Sequence, residues 1–264
     1  FQKNRGKVYG EQELSYDFNV GGGHTLEIPQ GSKLTIPQGK TLGLVNTAKL
    51  QNNGTLENNG KIREFHKISG NGEVTGNGKR IDTVHPTPAA AIDYNAEKLT
   101  GLSAGISYQI TPQGGSADEV MPVNNLVDIK AEWFGKEVSI IAKEDDSHLD
   151  SPAQNLNIPA RPAVPAVHGE NETAFGKNDG KITGTTAGME YKPLPATDWK
   201  PCTAGETAGL APGKYVVRIA ATGSSFVSEA VEIEIKKIYR ITVENNGNGT
   251  AEANKKEALK DTEI

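Results

Sequence analysis

The sequence predicts an all-β chain, and three observations carry that prediction. An aliphatic residue returns every six positions between Leu44 and Val74, one long segment occurs twice, and 30 glycines and 14 prolines accompany only 6% aromatics. Glycine and proline at that level place turns at short intervals, which suits layered or coiled strands better than helices.

The first element is the N-terminal repeat. Leu26-Glu27-Ile28-Pro29-Gln30-Gly31 returns eight residues later as Leu34-Thr35-Ile36-Pro37-Gln38-Gly39. The beat then tightens to six through Leu44, Leu50, Leu56, Ile62, Ile68 and Val74; Gly54, Gly60, Gly72 and Gly78 keep the same step, with His66 as the departure. An even period puts every marked aliphatic on one side of an extended backbone. Asn53-Gly54 and Asn59-Gly60 are also hairpin-turn pairs. Strands as short as Thr55 to Glu57, however, bury too little apolar surface as separate hairpins to offset the entropy of ordering them. The expectation for residues 1–82 is therefore a short β-solenoid (β-helix) in which three hexads make one coil. Leu50 then stacks on Ile68 and Leu56 on Val74, the Asn-Gly glycines supply positive-φ corners, and Asn53 and Asn71 form a side-chain ladder.

The second element is a duplication. Lys98-Leu99-Thr100-Gly101 through Gly105-Ile106-Ser107-Tyr108 matches Lys181-Ile182-Thr183-Gly184 through Gly188-Met189-Glu190-Tyr191. The copies also agree at Gly135-Lys136-Glu137-Val138 against Gly213-Lys214-Tyr215-Val216, and at Gln154 to Ile158 against Val231 to Ile235. Alternating apolar and polar residues, as in Val231-Glu232-Ile233-Glu234-Ile235, mark half-buried strands. Two tandem β-sandwich modules follow, over 83–162 and 163–237, joined through the stiff proline-rich spacer Pro159 to Pro165. The run Leu210 to Ile219 resembles the loop-to-strand transition of fibronectin type III and other immunoglobulin-like modules.

From Ile238 a further β unit begins, expected to occupy 238–264. Tyr239-Arg240-Ile241-Thr242-Val243 leading to Asn248-Gly249-Thr250-Ala251 resembles the opening of repeat modules on Gram-positive surface proteins. Another strand is due at Ile264, so the polypeptide is expected to continue. Phe1 to Gly6 lacks the apolar segment of a signal peptide and reads as a mature or trimmed start. The whole layout resembles the modular, adhesin-like cell-surface proteins of Gram-positive bacteria. That resemblance implies an extracellular, cell-surface setting and a structural or adhesive role as stalk or display scaffold, and it carries no catalytic residue across.

Composition limits the chemistry. The 28 basic and 33 acidic residues are interspersed and give a net charge of -5, so there is no basic stripe for nucleic acid. No apolar run reaches the length of a membrane span. Cys202 is the one cysteine, without a nucleophile signature, and reads as a lone packed thiol. His24, His66, His85, His148 and His168 are scattered, with no pair at metal-ligand spacing, so no metal site is expected. Glu144-Asp145-Asp146-Ser147-His148-Leu149-Asp150 lacks the glycine and the terminal glutamate of a calcium loop and reads as a solvated connection. Glu57, Glu64 and Glu73 sit on different phases of the hexad and do not make the paired carboxylates of a polysaccharide hydrolase or lyase. An enzyme on the coil is therefore the least favoured function.

The alternative to a scaffold is a carbohydrate-binding accessory region of a glycan-active protein. Trp133, Tyr191 and Trp199 are its candidate ligand-binding residues, because aromatic faces stack on sugars. The tryptophans do not fall at equivalent places in the two copies, however, which favours one buried Trp per module. The expectations are a monomer without cofactors, whose partner is a host or environmental glycan or protein.

Overall fold

The computed structural model describes residues 4–244, 246–247, 249–250, 252–253, 255–260 and 262. Phe1 to Lys3, and Asn248 and Ala251 of the proposed third repeat, lie outside the described residues. The chain divides into two compact units: 1–91 with 99–127 and 137–156, and 92–98 with 128–136 and 157–264.

The first unit opens with twelve short strands: β1 (Arg5–Lys7), β2 (Glu11–Glu13), β3 (Phe18–Val20), β4 (Thr25–Ile28), β5 (Lys33–Ile36), β6 (Thr41–Leu44), β7 (Lys49–Asn52), β8 (Thr55–Asn58), β9 (Lys61–Arg63), β10 (Ile68–Ser69), β11 (Glu73–Thr75) and β12 (Lys79–Ile81). They form three four-stranded sheets in the orders β1-β4-β7-β10, β2-β5-β8-β11 and β3-β6-β9-β12. Every third strand is a neighbour, and the pairings are parallel. Solenoid-like stacking is the result.

In the last coil Leu50 pairs with Ile68 and Leu56 with Val74, the eighteen-residue step that the hexads predict. The earlier coils are longer, since Leu26 pairs with Leu50 and Leu34 with Leu56. Inside, Leu26, Ile28, Leu34, Ile36, Leu42, Leu44, Leu50, Leu56 and Ile62 form one buried apolar column. Burying each such side chain stabilises by about 1.5–3 kcal/mol.

Two details of the corners differ from expectation. Gly54 and Gly60 do not have positive φ; a Cβ on Gly54 would stand 2.2 Å from the Ser32 carbonyl oxygen, and one on Gly60 2.3 Å from those of Pro37 and Lys40. These glycines are required because the backbone of the preceding coil passes against them. Positive φ falls instead at Gly31, Gly39, Gly70 and Gly76. The predicted Asn53–Asn71 ladder does not form either, since both residues are exposed. Asn52 and Asn58 instead turn into the core, and their Nδ2 groups donate to the carbonyls of Glu73 (2.9 Å) and Lys79 (3.1 Å). A Cβ on Gly72 or Gly78 would stand 2.7 or 2.5 Å from the Oδ1 of the asparagine it faces. The asparagine and glycine columns are thus one device repeated six residues apart. At His66 the hexad is interrupted by a 3-10 turn, Phe65–Lys67, entered through left-handed Glu64.

Beyond the coil come two sets of seven strands. The first is β13 (Ala91–Asp93), β14 (Lys98–Thr100), β15 (Tyr108–Pro112), β16 (Asp118–Val120), β17 (Val127–Asp128), β18 (Lys136–Ala142) and β19 (Gln154–Ile158). The second is β20 (His168–Glu170), β21 (Gly180–Thr185), β22 (Met189–Pro193), β23 (Lys200–Pro201), β24 (Gly205–Leu210), β25 (Gly213–Ile219) and β26 (Val231–Ile235). The sheets are β13-β14-β17 and β16-β15-β18-β19, then β20-β21-β24 and β23-β22-β25-β26. Adding seven to each label of the first set yields the second, so the duplicated sequence builds one topology twice. The matched segments land on matched strands: β14 with β21, β18 with β25, β19 with β26. The division into two units passes through the first set.

The core of the second set gathers Val167, Ile182, Met189, Leu210, Tyr215, Val217, Ile233 and Ile235. Tyr215, from the Leu210 to Ile219 run, is buried, and its hydroxyl donates to the Ala211 carbonyl at 2.7 Å. A closing pair, β27 (Ile238–Arg240) and β28 (Glu257–Leu259), is antiparallel. It is tied to the second set by buried Glu172, whose Oε1 accepts the Ile238 amide at 2.7 Å.

The proline-rich stretch is anchored in the second unit. Arg161 makes a two-pronged ion pair with Glu97 (2.6 Å for the Nη2 prong), donates to the Val227 carbonyl (3.1 Å), and lies 4.3 Å over the Phe134 ring. Phe226 beneath is fully buried, with ring centroids 4.9 Å from both Tyr94 and Phe134.

Candidate functional site

The acidic segment 144–150 is where the structure departs furthest from a solvated connection. It joins β18 to β19, and the coil side of the first unit meets it with the bases Lys61, Arg63 and Lys79. Glu144 pairs with Arg63 at 2.7 Å and Lys61 at 3.5 Å; Asp146 pairs with Lys79 at 2.5 Å and Lys61 at 3.7 Å. Backbone bonds reinforce the docking: His85 N–H donates to the Leu149 carbonyl (3.0 Å) and Leu149 N–H to that of Thr83 (2.8 Å). These carboxylates already have cations, which removes the reason to place calcium on them.

Three aspartates of the segment are held below the usual carboxylate range. For Asp145 the chief cause is the Ser147 amide, for Asp146 the Lys79 ammonium; for Asp150, burial pulls the other way and is outweighed by Lys143 and the Glu144 amide. A carboxyl whose folded value is depressed stabilises the fold above its unfolded value and loses that contribution as pH falls toward the folded value. Docking of 144–150 is therefore expected to be intact at neutral pH and to loosen as pH falls below about 4. Protection of the amides of residues 143–151, corrected for the intrinsic exchange rate at each pH, should fall more between pH 6 and pH 3 than that of β5 and β8; equal change would contradict this account.

Folding also gathers two of the scattered histidines. His85 and His148 stack with ring centroids 4.5 Å apart and planes 21° apart. His85 is 4% exposed, and its Nε2 lies 3.2 Å from Asp145 Oδ2. That distance is within ion-pair range, but the angle is wrong for a hydrogen bond, so Nε2 is a buried polar atom without one. Such an atom costs about 1–3 kcal/mol. Asp145 Oδ1 accepts from Ser147 N–H (2.6 Å), Ser147 Oγ (3.0 Å) and His148 N–H (2.7 Å), which leaves Oδ2 to face His85. One ligating atom from each of His85, Asp145 and His148 lies within 4.8 Å of the others. Sequence spacing missed this cluster because 85 and 148 belong to different strands' flanks; the Asp145-His148 spacing was its one local trace.

The aromatic candidates do not converge. Trp133 is fully buried and offers no ring face to a ligand. Tyr191 packs against the core of the second strand set and faces Tyr215 at 6.2 Å. On the same strand Glu190 and Lys192 alternate to the other face, where Arg218 bonds Glu190 at 2.6 Å and covers the half-buried Trp199 ring at 3.8 Å, with Lys192 at 5.1 Å. Tyr191 and Trp199 therefore lie on opposite faces of one sheet and form no shared sugar platform.

The coil carboxylates are not register partners. Glu57 and Glu73 share one sheet, Glu57 in register with Thr75 and Glu73 with Thr55, while Glu64 pairs with Lys67 elsewhere. Lys33, 2.6 Å away, holds the Glu57 carboxyl below the usual range, so it is poorly suited to donate a proton. Cys202 is buried, and burial pushes its thiol up, away from the reactive thiolate.

No family model matches the chain, and no curated protein matches it. Among solved structures it is similar to a two-domain fibronectin type III segment of chicken tenascin, at 13% identity, over 55% of this chain and 94% of that one, with a TM-score of 0.22. It is also similar to the FN1–FN3 domains of chicken CNTN1, at 13% identity, over 60% of this chain and 72% of that one, with a TM-score of 0.20. No helix among the described residues is long and apolar enough to cross a membrane.

Proposed function

We propose that the chain is a non-catalytic scaffold segment of a secreted, Gram-positive-type surface protein. It comprises a β-solenoid over 1–82, two immunoglobulin-like sandwiches over 83–162 and 163–237, and the start of a further β unit over 238–264. The supporting observation is how the coil's side chains are used. Its interior is a closed apolar column with two asparagines bonded to backbone, and its outward Glu57 is neutralised by Lys33. A coil built this way maintains its own form, and the cations it gathers, Lys61, Arg63 and Lys79, are taken up by Glu144 and Asp146 rather than offered to a bound polymer. The role is to hold neighbouring parts of the protein at the cell surface.

Brief protease treatment of intact producing cells tests the setting: peptides of this chain should be released into the medium, and their confinement to the cytosol would overturn it. The purified chain should release no products from plant, mucin or wall polysaccharides. Binding on a glycan array that Trp199→Ala abolishes would favour the carbohydrate-binding alternative.

A further inference from the structure

We propose that His85, Asp145 and His148 form a binding site for a borderline divalent ion of the zinc class, which clips loop 145–148 to the chain segment leaving β12. This goes beyond the scaffold reading and does not depend on it. Two imidazoles and one carboxylate are the donor set that such ions select, whereas calcium takes six or more oxygens. The second observation is the Nε2 atom of His85, buried, 3.2 Å from Asp145 Oδ2 and without a hydrogen bond. A cation between them would give that nitrogen a partner. Asp145 is prepared for the role: its Oδ1 is occupied by three donors from its own loop, which fixes the carboxylate and presents Oδ2.

The arrangement needs one adjustment. Tetrahedral zinc with bonds of about 2.0–2.1 Å sets its ligand atoms about 3.3 Å apart, closer than the 4.8 Å limit within which these atoms lie. Stacked rings also cannot both aim an in-plane lone pair at one ion. His85 is buried in place, so the ring that turns is His148, which is about a third exposed and whose Nδ1 lies 3.0 Å from Ser147 Oγ and 3.6 Å from Asp145 Oδ1. Three protein ligands leave one position for water. Because the same loop carries Glu144 and Asp146 to Arg63, Lys61 and Lys79, the ion would reinforce the attachment of 144–150 to the coil.

The test is calorimetric titration of the whole chain, stripped with a chelator, with Zn2+ and separately with Ca2+, backed by Co2+ visible absorption. One Zn2+ per chain is expected, with a thermal midpoint that rises with free zinc and the intense bands of four-coordinate cobalt. His148→Ala and Asp145→Asn should each weaken zinc binding roughly tenfold or more. His66→Ala, which alters the exposed His66–Asp82 pair, should change nothing. An unaltered metal-free thermal midpoint for His148→Ala separates loss of a ligand from loss of fold. The proposal is overturned if zinc fails to bind, binds equally well to His148→Ala, is lost in His66→Ala, or is matched in affinity by calcium.

Discussion

Gly60→Ala is expected to destabilise the coil by about 3 kcal/mol, the upper range for forcing a carbon into a packed interior, whereas Gly39→Ala should cost only about 1 kcal/mol. The two glycines occupy similar corners for different reasons. The added Cβ at Gly60 meets two carbonyl oxygens at 2.3 Å and the Ile36 side chain at 3.0 Å, and both carbonyls are engaged: Pro37 O accepts the Lys40 N–H at 3.1 Å within its own turn, and Lys40 O serves the next coil. Lys61 N–H donates to Lys40 O at 2.9 Å, so yielding at that point breaks the ladder between β6 and β9. Gly39 has φ +77 with no atom within 4 Å, so alanine there meets only the left-handed backbone penalty. Amide exchange by mass spectrometry on coil peptides reads the difference locally, which suits a chain whose parts need not unfold together. Equal protection in the two variants would refute the close-approach explanation.

Phe226→Ala is expected to cost about 3–5 kcal/mol, the range for emptying an aromatic site in a core. Phe226 is fully buried between Tyr94 and Phe134, and Arg161 closes the stack over Phe134 while gripping Glu97 and the Val227 carbonyl. Removing the ring takes the support from a set of contacts contributed by 92–98, 128–136 and 157–264 together. Denaturant unfolding followed by the fluorescence of Trp133, in a Trp199→Phe background, should shift by that amount. A shift under about 1 kcal/mol, the size of a surface change, would mean that the stack contributes little.

How much of this was legible in the sequence depends on the range of the interaction. The aliphatic hexads could be read directly, because each residue's direction follows from its place on its own strand; Leu50–Ile68 and Leu56–Val74 pair as the period requires. The duplication could be read for the same reason, since matched segments fold as matched strands. The cause of the corner glycines could not: positive φ and close approach select the same residue, and only the preceding coil's carbonyls tell them apart. The period put Asn52 and Asn58 on the inward face with Leu50 and Leu56, but their acceptors came only with the next coil. Glu144 to Asp150 read as a solvated connection because the partners of Glu144 and Asp146, Lys61, Arg63 and Lys79, lie far back along the chain. His85 and His148 were invisible as a pair for the same reason, and Trp199 differs from Trp133 because Arg218 covers it at the surface rather than a core enclosing it.

A disulfide trap in the coil tests the parallel stacking on which the whole account stands. Thr35 and Glu57 are register partners on adjacent rungs, both pointing outward, and neighbouring strands about 4.8 Å apart fall within disulfide reach. Thr75 is the register partner of Glu57 one rung further on, twice as far from Thr35. Thr35→Cys with Glu57→Cys should oxidise to an intramolecular disulfide, and Thr35→Cys with Thr75→Cys should not; cross-linking of both pairs alike, or of the distant pair alone, would contradict the stacked coil.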